Sequence, residues 1–377
     1  MAQAPFHFLH VFSTFVPAGP ETRACRLIEA FDGEFRHSIL AMDGRTEARS
    51  LLPPGAEVRF LETPPKAGSI ATVKKLREVL RAENPDLLLT YNWGAFDAVM
   101  AARTLKLKRV VHHEDGFNPD EVAQFKQRRV LARRLLLPGV SRVVVPSKRL
   151  ERIAVDTWKL PPGRVRWIPN GIRAETFEAR DGRPELREKL GIPAKAPLVG
   201  FLGHLRPEKN PQRFLRACAR IDPMYGMHVL VVGDGEERPA LEALAAKTPS
   251  LFGRVHFAGH VPDPRDYYRA MDVFCISSDT EQMPVALLEA MASGLAVVST
   301  DVGDVRAILP DEQSPYVIPI EERESAWPIA EKLTYLVAGT RERERLGAGN
   351  RARVHERFTF EGMLAAYLDV YRTAIAA

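Results

Sequence analysis

The stretch Val273-Phe-Cys-Ile-Ser-Ser-Asp-Thr-Glu281-Gln-Met-Pro-Val-Ala-Leu-Leu-Glu289-Ala-Met-Ala-Ser-Gly294 decides how the rest of the chain is read. Val273–Ile276 is a short apolar run of the kind that forms a strand buried on both faces of a parallel sheet. Residues 277–282 are polar, as a loop should be. Residues 283–293 have helical composition. Pro284 suits the first helical turn, where its missing N–H costs nothing, and Gly294 suits the helix end. A helix start gathers free N–H groups and the positive end of the dipole, which makes an anion site. Glu281 stands just before that start, and Glu289 lies about two turns further on. One carboxylate can therefore face a ligand's head group while the other reaches hydroxyls deeper in. The same spacing also fits two solvated or cap-supporting carboxylates.

Working outward, apolar strand-like runs alternate with helical stretches along the whole chain. The expected strands are 6–12, 38–42, 57–60, 86–90, 109–112 and 142–146, then 198–202, 228–232, 255–258, 273–276, 296–299 and 315–318. Helices are expected between most of them, for instance over 21–31, 70–83 and 95–105. This is the βαβ rhythm of α/β proteins with parallel, doubly wound sheets. The two sets are separated by 174–196, whose Gly and Pro content reads as a linker around a short helix. The expected layout is an N-terminal domain over 1–173, a linker over 174–196, a second domain over 197–355, and a last helix over 356–377. Ligands in such sheets bind beyond the carboxyl ends of the strands, so the cleft between two facing domains is the expected site.

The 377 residues suffice for two sizeable cores, and 45% apolar with 27% charged residues fits a soluble globular chain. Three cysteines, Cys25, Cys218 and Cys275, are too few for a disulfide framework and read as buried thiols in a reducing compartment. The N-terminus is too short and polar for a signal peptide, and no run reaches ~18 uninterrupted apolar residues. A cytoplasmic protein is expected. The net charge of +5 is uneven. Residues 1–175 carry 28 Lys and Arg against 19 Asp and Glu, whereas residues 176–377 carry 25 against 29. A basic half facing something anionic is one reading, and a basic composition without function is the other.

Several post-strand turns carry chemistry. Gly203-His204-Leu-Arg206-Pro-Glu-Lys209-Asn210 is a basic loop whose cations suit a diphosphate. Gly233-Asp-Gly235 is a strand-to-helix turn, weak as a phosphate signal by itself. Gly259-His260-Val261 and Asp301-Val-Gly303-Asp304 are further turns. In the first half, Gly19 follows the first strand, Asn92-Trp93 another, and His112-His113-Glu114-Asp115 a third. Neighbouring residues on an extended chain point to opposite sides, so this last run is a poor metal site. Lys126, Arg129 and Arg133 fall on one helical stripe, which reads as a solvated basic face or as a lipid-docking one.

These segments resemble glycosyltransferase family 4, the retaining transferases with a GT-B fold, over about residues 6–375. The Glu281–Glu289 segment resembles the family's Glu-x7-Glu motif. Residues 203–209 resemble its Gly-Arg-Leu-x-x-x-Lys element, with Lys209 at the lysine and His204 at the arginine. Arg206 stands two residues later as a substitute. The resemblance implies a nucleotide-diphosphate sugar as co-substrate, without metal or other cofactor. It implies that Glu281 holds the transferred sugar and Glu289 the ribose. Lys209 with Arg206 or His204 would neutralise the leaving diphosphate, and His112 or His113 would contact the donor sugar. Gly19, Gly203, Gly233, Gly235, Gly259, His260, Val261, Gln282, Met283, Pro284 and Val285 would line the donor. Asn92, Trp93, Glu114 and Asp115 would lie on the acceptor side. The last helix would cross back onto the first domain. A lipid or lipid-linked glycan acceptor, an anionic membrane surface and no nucleic acid are the implied partners. A sugar-nucleotide 2-epimerase of the same fold and a non-catalytic scaffold are the alternatives. The basic loop and the paired glutamates weigh against both.

Overall fold

The computed structural model describes residues 5–31, 33–64, 68–117, 121, 125–178, 183–322 and 325–376. The chain divides into two compact units, Met1–Pro169 with Met363–Ala377, and Asn170–Gly362.

The first unit is built on seven strands: β1 (Phe6–Phe12), β2 (Phe35–Ala41), β3 (Val58–Phe60), β4 (Leu87–Tyr91), β5 (Val110–His113), β6 (Arg142–Val145) and β7 (Val165–Trp167). They pair in parallel in the order β3-β2-β1-β4-β5-β6-β7. The inner strands are mostly apolar because helices cover both faces, with buried histidines in β1, β2 and β5. The longer helices are α1 (Gly19–Ala30), α2 (Ser69–Glu83), α3 (Phe96–Thr104) and α4 (Gln127–Leu136). Small residues Ala98, Ala101 and Ala102 let α3 lie close on the sheet, where they are buried with Leu88, Val110 and Val143.

The second unit has six strands: β8 (Leu198–Leu202), β9 (His228–Val232), β10 (Val255–Gly259), β11 (Val273–Ile276), β12 (Ala296–Thr300) and β13 (Val317–Ile318). Their order is β10-β9-β8-β11-β12-β13, again all parallel. Its longer helices are α5 (Pro211–Cys218), α6 (Arg238–Lys247), α7 (Val285–Ala292), α8 (Trp327–Ala338) and α9 (Thr340–Arg357). In each sheet the winding reverses once, between β1 and β4 and between β8 and β11. At such a reversal the connections diverge to opposite faces and leave a crevice at the carboxyl ends.

Three differences from the sequence reading have physical causes. Strand β7 was not expected; it is a three-residue edge strand with a single buried apolar position, Val165. The 174–196 stretch is not a free linker. Ala174, Phe177 and Ile192 are buried in the second unit's core, and the buried Arg187 guanidinium donates to the carbonyls of Ala270, Ala194 and Ala196 and to Asp272. Helix α7 begins at Val285 with Pro284 as its cap, two residues later than the composition suggests. The last helix, α10 (Phe360–Ala376), belongs to the first unit from Met363 on, where Tyr367 and Tyr371 are buried.

Candidate functional site

In the second unit the loops that follow β8 and β11 leave the sheet on either side of the winding reversal. They bring Lys209 and Glu281 together. The Lys209 ammonium donates to Glu281 Oε1 at 2.5 Å, and Ser278 Oγ donates to the same oxygen at 2.8 Å. The carboxylate is the more enclosed partner, at 11% exposure against 30% for the lysine. The pair therefore presents its cationic end outward.

A part-buried lattice holds this pair in place. Arg213 on α5 donates to the Ser277 carbonyl and to Asp279, at 2.7 and 2.6 Å. Asn210 caps α5 by accepting from Arg213 N at 3.1 Å, in a left-handed conformation at φ +43°. Asn210 also donates to Asp279 at 3.2 Å. Ser277 Oγ donates to the Asn210 carbonyl at 2.9 Å, and Asp279 N to the Glu208 carbonyl at 2.8 Å. The two loops are thus stitched to each other as well as to the sheet. Arg213, Asn210, Asp279 and Ser278 were not singled out from the sequence. Only Asn210-Pro211 carried a signal, since Asn followed by Pro is helix-start chemistry.

Backbone closeness fixes the rest of the loop set. A Cβ on Gly233 would lie 2.0 Å from the Gly203 carbonyl oxygen, and one on Gly235 2.5 Å from that of Leu205. Both have positive φ, so only glycine lets the β8 and β9 loops touch. Gly303, at φ +58°, leaves no room for a side chain against the Glu281 and Gln282 carbonyls, and Asp304 N donates to Gln282 O at 2.9 Å. The turn after β12 therefore seats the Glu281 loop.

Glu289, half-buried on α7, accepts from the buried Tyr268 hydroxyl at 3.0 Å. Met283 and Pro284 are buried; Met283 contributes its carbonyl to the Asn170 side chain at 3.0 Å and its side chain to the core. Val285 opens α7, and Val261 packs on the same core. His204, Arg206 and His260 are exposed. Arg206 lies 3.9 Å from Glu208. Partial desolvation, and then the Arg206 and Lys209 charges, hold the His204 imidazole below its ordinary pKa. Its nitrogen is a neutral donor at pH 7, unlike an arginine. Gly259 accepts from Gly233 N at 2.8 Å.

The first unit treats its expected site residues differently. His113 is enclosed: its Nδ1–H donates to the Thr90 carbonyl at 3.2 Å, and its Nε2 accepts from the Tyr371 hydroxyl at 3.0 Å. His112 is enclosed between Thr90 Oγ1 at 2.8 Å and Glu114 at 3.5 Å. Each imidazole nitrogen has a partner within the first unit, where the sequence reading expected a sugar contact. Glu114 is fully buried. Burial raises its pKa, but Arg133 and then His112 outweigh this and leave it lowered. Asp115 accepts two bonds from Arg23, at 2.6 and 2.8 Å, and Asn92 accepts from Asp115 N at 2.7 Å. Trp93 lies between Phe96 and the Arg129 and Arg133 guanidinium groups, at 5.1 Å each. Gly19 opens α1 with open space where a side chain would sit.

The basic stripe is also corrected. Arg129 and Arg133 are buried and paired with Glu121 at 2.7 and 3.3 Å, and Arg133 with Glu114 at 3.0 Å. The exposed face of α4 instead carries Arg128, Leu131, Arg134 and Leu135.

Two family descriptions match the chain: "Glycosyl transferases group 1" over residues 182–353 and "Glycosyl transferase 4-like domain" over residues 18–171. The lipopolysaccharide core biosynthesis glycosyltransferase LpsE of Rhizobium meliloti is 28% identical over 297 residues, 78% of each chain. A D-inositol 3-phosphate glycosyltransferase of Xylanimonas cellulosilytica is 29% identical over 258 residues. That match spans 66% of this chain and 60% of the relative's length. Among solved structures, Anabaena Alr3699/HepE in complex with UDP superposes with a TM-score of 0.81 at 19% identity, over 99% of this chain and 100% of that one. WaaG, a glycosyltransferase involved in lipopolysaccharide biosynthesis, gives 0.73 at 17%, over 96% and 99%.

Proposed function

From the chain's membership of glycosyltransferase family 4, with the GT-B fold, we propose that it moves a sugar, with retention, from a UDP- or GDP-linked donor to a lipid or glycan acceptor in cell-envelope or exopolysaccharide assembly. One observation carries this reading. A lysine and a glutamate are pre-positioned at the winding reversal of the second sheet, beside loops of exposed cations and close-packed glycines. Such a site suits a diphosphate bearing a sugar. As the sugar–phosphate bond breaks, negative charge grows on the diphosphate and positive character on the sugar. Lys209 neutralises the former, supported by Arg206, the neutral His204 donor and the start of α7. Glu281 receives the sugar's hydroxyls, and Glu289, held by Tyr268, receives the ribose. The leaving phosphate takes the acceptor's proton on the same face.

No divalent ion is required in this scheme, and among the described residues no group of three or more His, Cys, Asp or Glu converges as a ligand set. The relative named for lipopolysaccharide core biosynthesis supports a lipid-linked acceptor. Peripheral docking on the inner face of the cell membrane fits the basic first half. Among the described residues no helix is long and apolar enough to cross a membrane. The test is release of UDP or GDP from a panel of nucleotide sugars. Release that depends on a lipid or glycan extract as acceptor is expected; donor turnover to an epimer without acceptor would replace the reading with epimerisation.

A further inference from the structure

The second unit carries a groove of about 640 Å³ that none of the chemistry above uses. It lies between α8, the start of α9 and the segments before β9 and β13. No lining residue comes from the turns directly after β8, β9, β11 or β12, which carry the residues of the Lys209–Glu281 site.

Its walls are aromatic and exposed. Trp327 is 57% exposed, Tyr335 62% and Tyr225 40%. Monomer surfaces seldom group large rings in this way without a use. The rings are also held in position. Arg220 sits over the Trp327 ring, 5.8 Å from its centroid. Tyr335 lies against Tyr316, with centroids 6.2 Å apart. Tyr316 is itself anchored, its hydroxyl donating to Glu342 at 3.1 Å while Arg345 holds that carboxylate at 2.9 Å through both nitrogens. Fixed rings lose little freedom on binding, which lowers the cost of association.

Charges are interleaved with the rings and cancel. Three carboxylates (Glu312, Glu331, Glu342) face three cations (Arg220, Lys332, Arg345). That balance selects the occupant. An anionic lipid surface would gain no net attraction and would strip water from six charged groups. A protein interface concentrates aromatics in a charge-depleted centre, which this groove lacks. A saccharide has both kinds of surface in one ring. Its C–H faces meet the negative faces of Trp and Tyr, and its hydroxyl edges bond the flanking carboxylates and guanidinium groups. We infer that this groove binds an uncharged oligosaccharide segment, at a site separate from the Lys209–Glu281 site and independent of transfer.

Titration calorimetry of the whole chain with neutral gluco-, manno- and galacto-configured hexasaccharides tests this. At least one should bind, and Trp327→Ala and Tyr335→Ala should each weaken it about tenfold or more. Both rings are exposed, so melting temperatures should stay close to wild type; either variant alone suffices if the other is poorly folded. Lys209→Ala should leave saccharide binding unchanged while abolishing donor binding. That separates failure of this inference from failure of the transferase reading. Absence of binding at millimolar saccharide, or binding indifferent to both ring variants, overturns the inference. So does self-association in sedimentation that the same variants abolish, because the groove would then hold a second copy of the chain.

Discussion

Lys209 and Glu281 are oriented by each other, and Ser278 holds the glutamate as well. Charge-assisted contacts of this kind are worth about 1.5–3 kcal/mol each, or roughly ten- to over a hundredfold in rate if made in the transition state. Lys209→Ala, Glu281→Ala and Glu289→Ala should therefore each reduce transfer by that range with the fold intact, as read by initial rates beside circular dichroism. Glu21 makes a second prediction at this scale. It is buried in the first turn of α1, with no hydrogen-bond partner for Oε2 among the described residues. Burial, moderated by its own backbone N–H and reinforced by Asp115, pushes its pKa to about 7. A carboxyl raised in the folded state binds more protons there than in the unfolded chain, so it costs stability as pH rises from 4.5 towards 7. Glu21→Gln should be more stable than wild type at pH 8, by on the order of 1–3 kcal/mol, and show no gain at pH 4. An equal effect at both pH values would remove the titration argument.

At the scale of elements, α4 shows what periodicity can and cannot reveal. The spacing of Lys126, Arg129 and Arg133 finds a face of a helix, but not which way that face points. Arg129 and Arg133 turn inward because Glu114 and Glu121 neutralise them there and Trp93 and Trp158 cover them. Removing one member of a buried ion network strands the others and costs about 3–5 kcal/mol. Arg133→Ala should thus lose that much stability in denaturant melts. Membrane docking, if α4 performs it, should depend instead on Arg128, Arg134, Leu131 and Leu135. Screening over about 8 Å at physiological salt should weaken that docking. Sedimentation with anionic liposomes at low and high salt should show Leu131→Ser with Leu135→Ser losing binding. Unchanged binding in that double variant would exclude α4. Strands were the most legible elements: 6–12, 198–202, 228–232 and 273–276 have the expected bounds, because runs dominated by apolar residues stand out from the polar loops around them. The 174–196 stretch was misread because Gly and Pro report local backbone, whereas Phe177, Arg187 and Ile192 anchor it through distant partners. The Lys209–Glu281 contact joins two residues that the sequence singled out. Its supports, Arg213 and Asp279, were not legible, since their pairing exists only once β8 and β11 lie side by side.

In the molecule as a whole, the first unit rests on a buried chain of neutral imidazoles and phenols. His37 Nδ1 lies 3.0 Å from His10 Nε2, His10 Nδ1 3.0 Å from the Tyr91 hydroxyl, and Tyr371 bonds His113. Burial holds His10 and His113 well below 6.5, and brings His37 to about 4. An imidazole depressed in the folded state is protonated more readily in the unfolded chain, so stability is lost as pH falls from 6.5 towards 4. The first unit should melt earlier across that window, whereas the raised carboxyls of Glu21 and Asp97 work in the opposite direction. His37→Gln should flatten the acid limb, as followed by thermal melts at stepped pH. We propose above all that Lys209 and Glu281 form a nucleotide-sugar site in this family 4 glycosyltransferase. A donor present at about 100 times its dissociation constant stabilises the folded chain by roughly 2.7 kcal/mol. A thermal-shift panel of UDP- and GDP-sugars, run in EDTA on wild type and Lys209→Ala, tests the claim most directly. One donor should raise the wild-type melting temperature without metal and leave Lys209→Ala unmoved. Equal shifts in both proteins, or none from any donor in wild type, would contradict it.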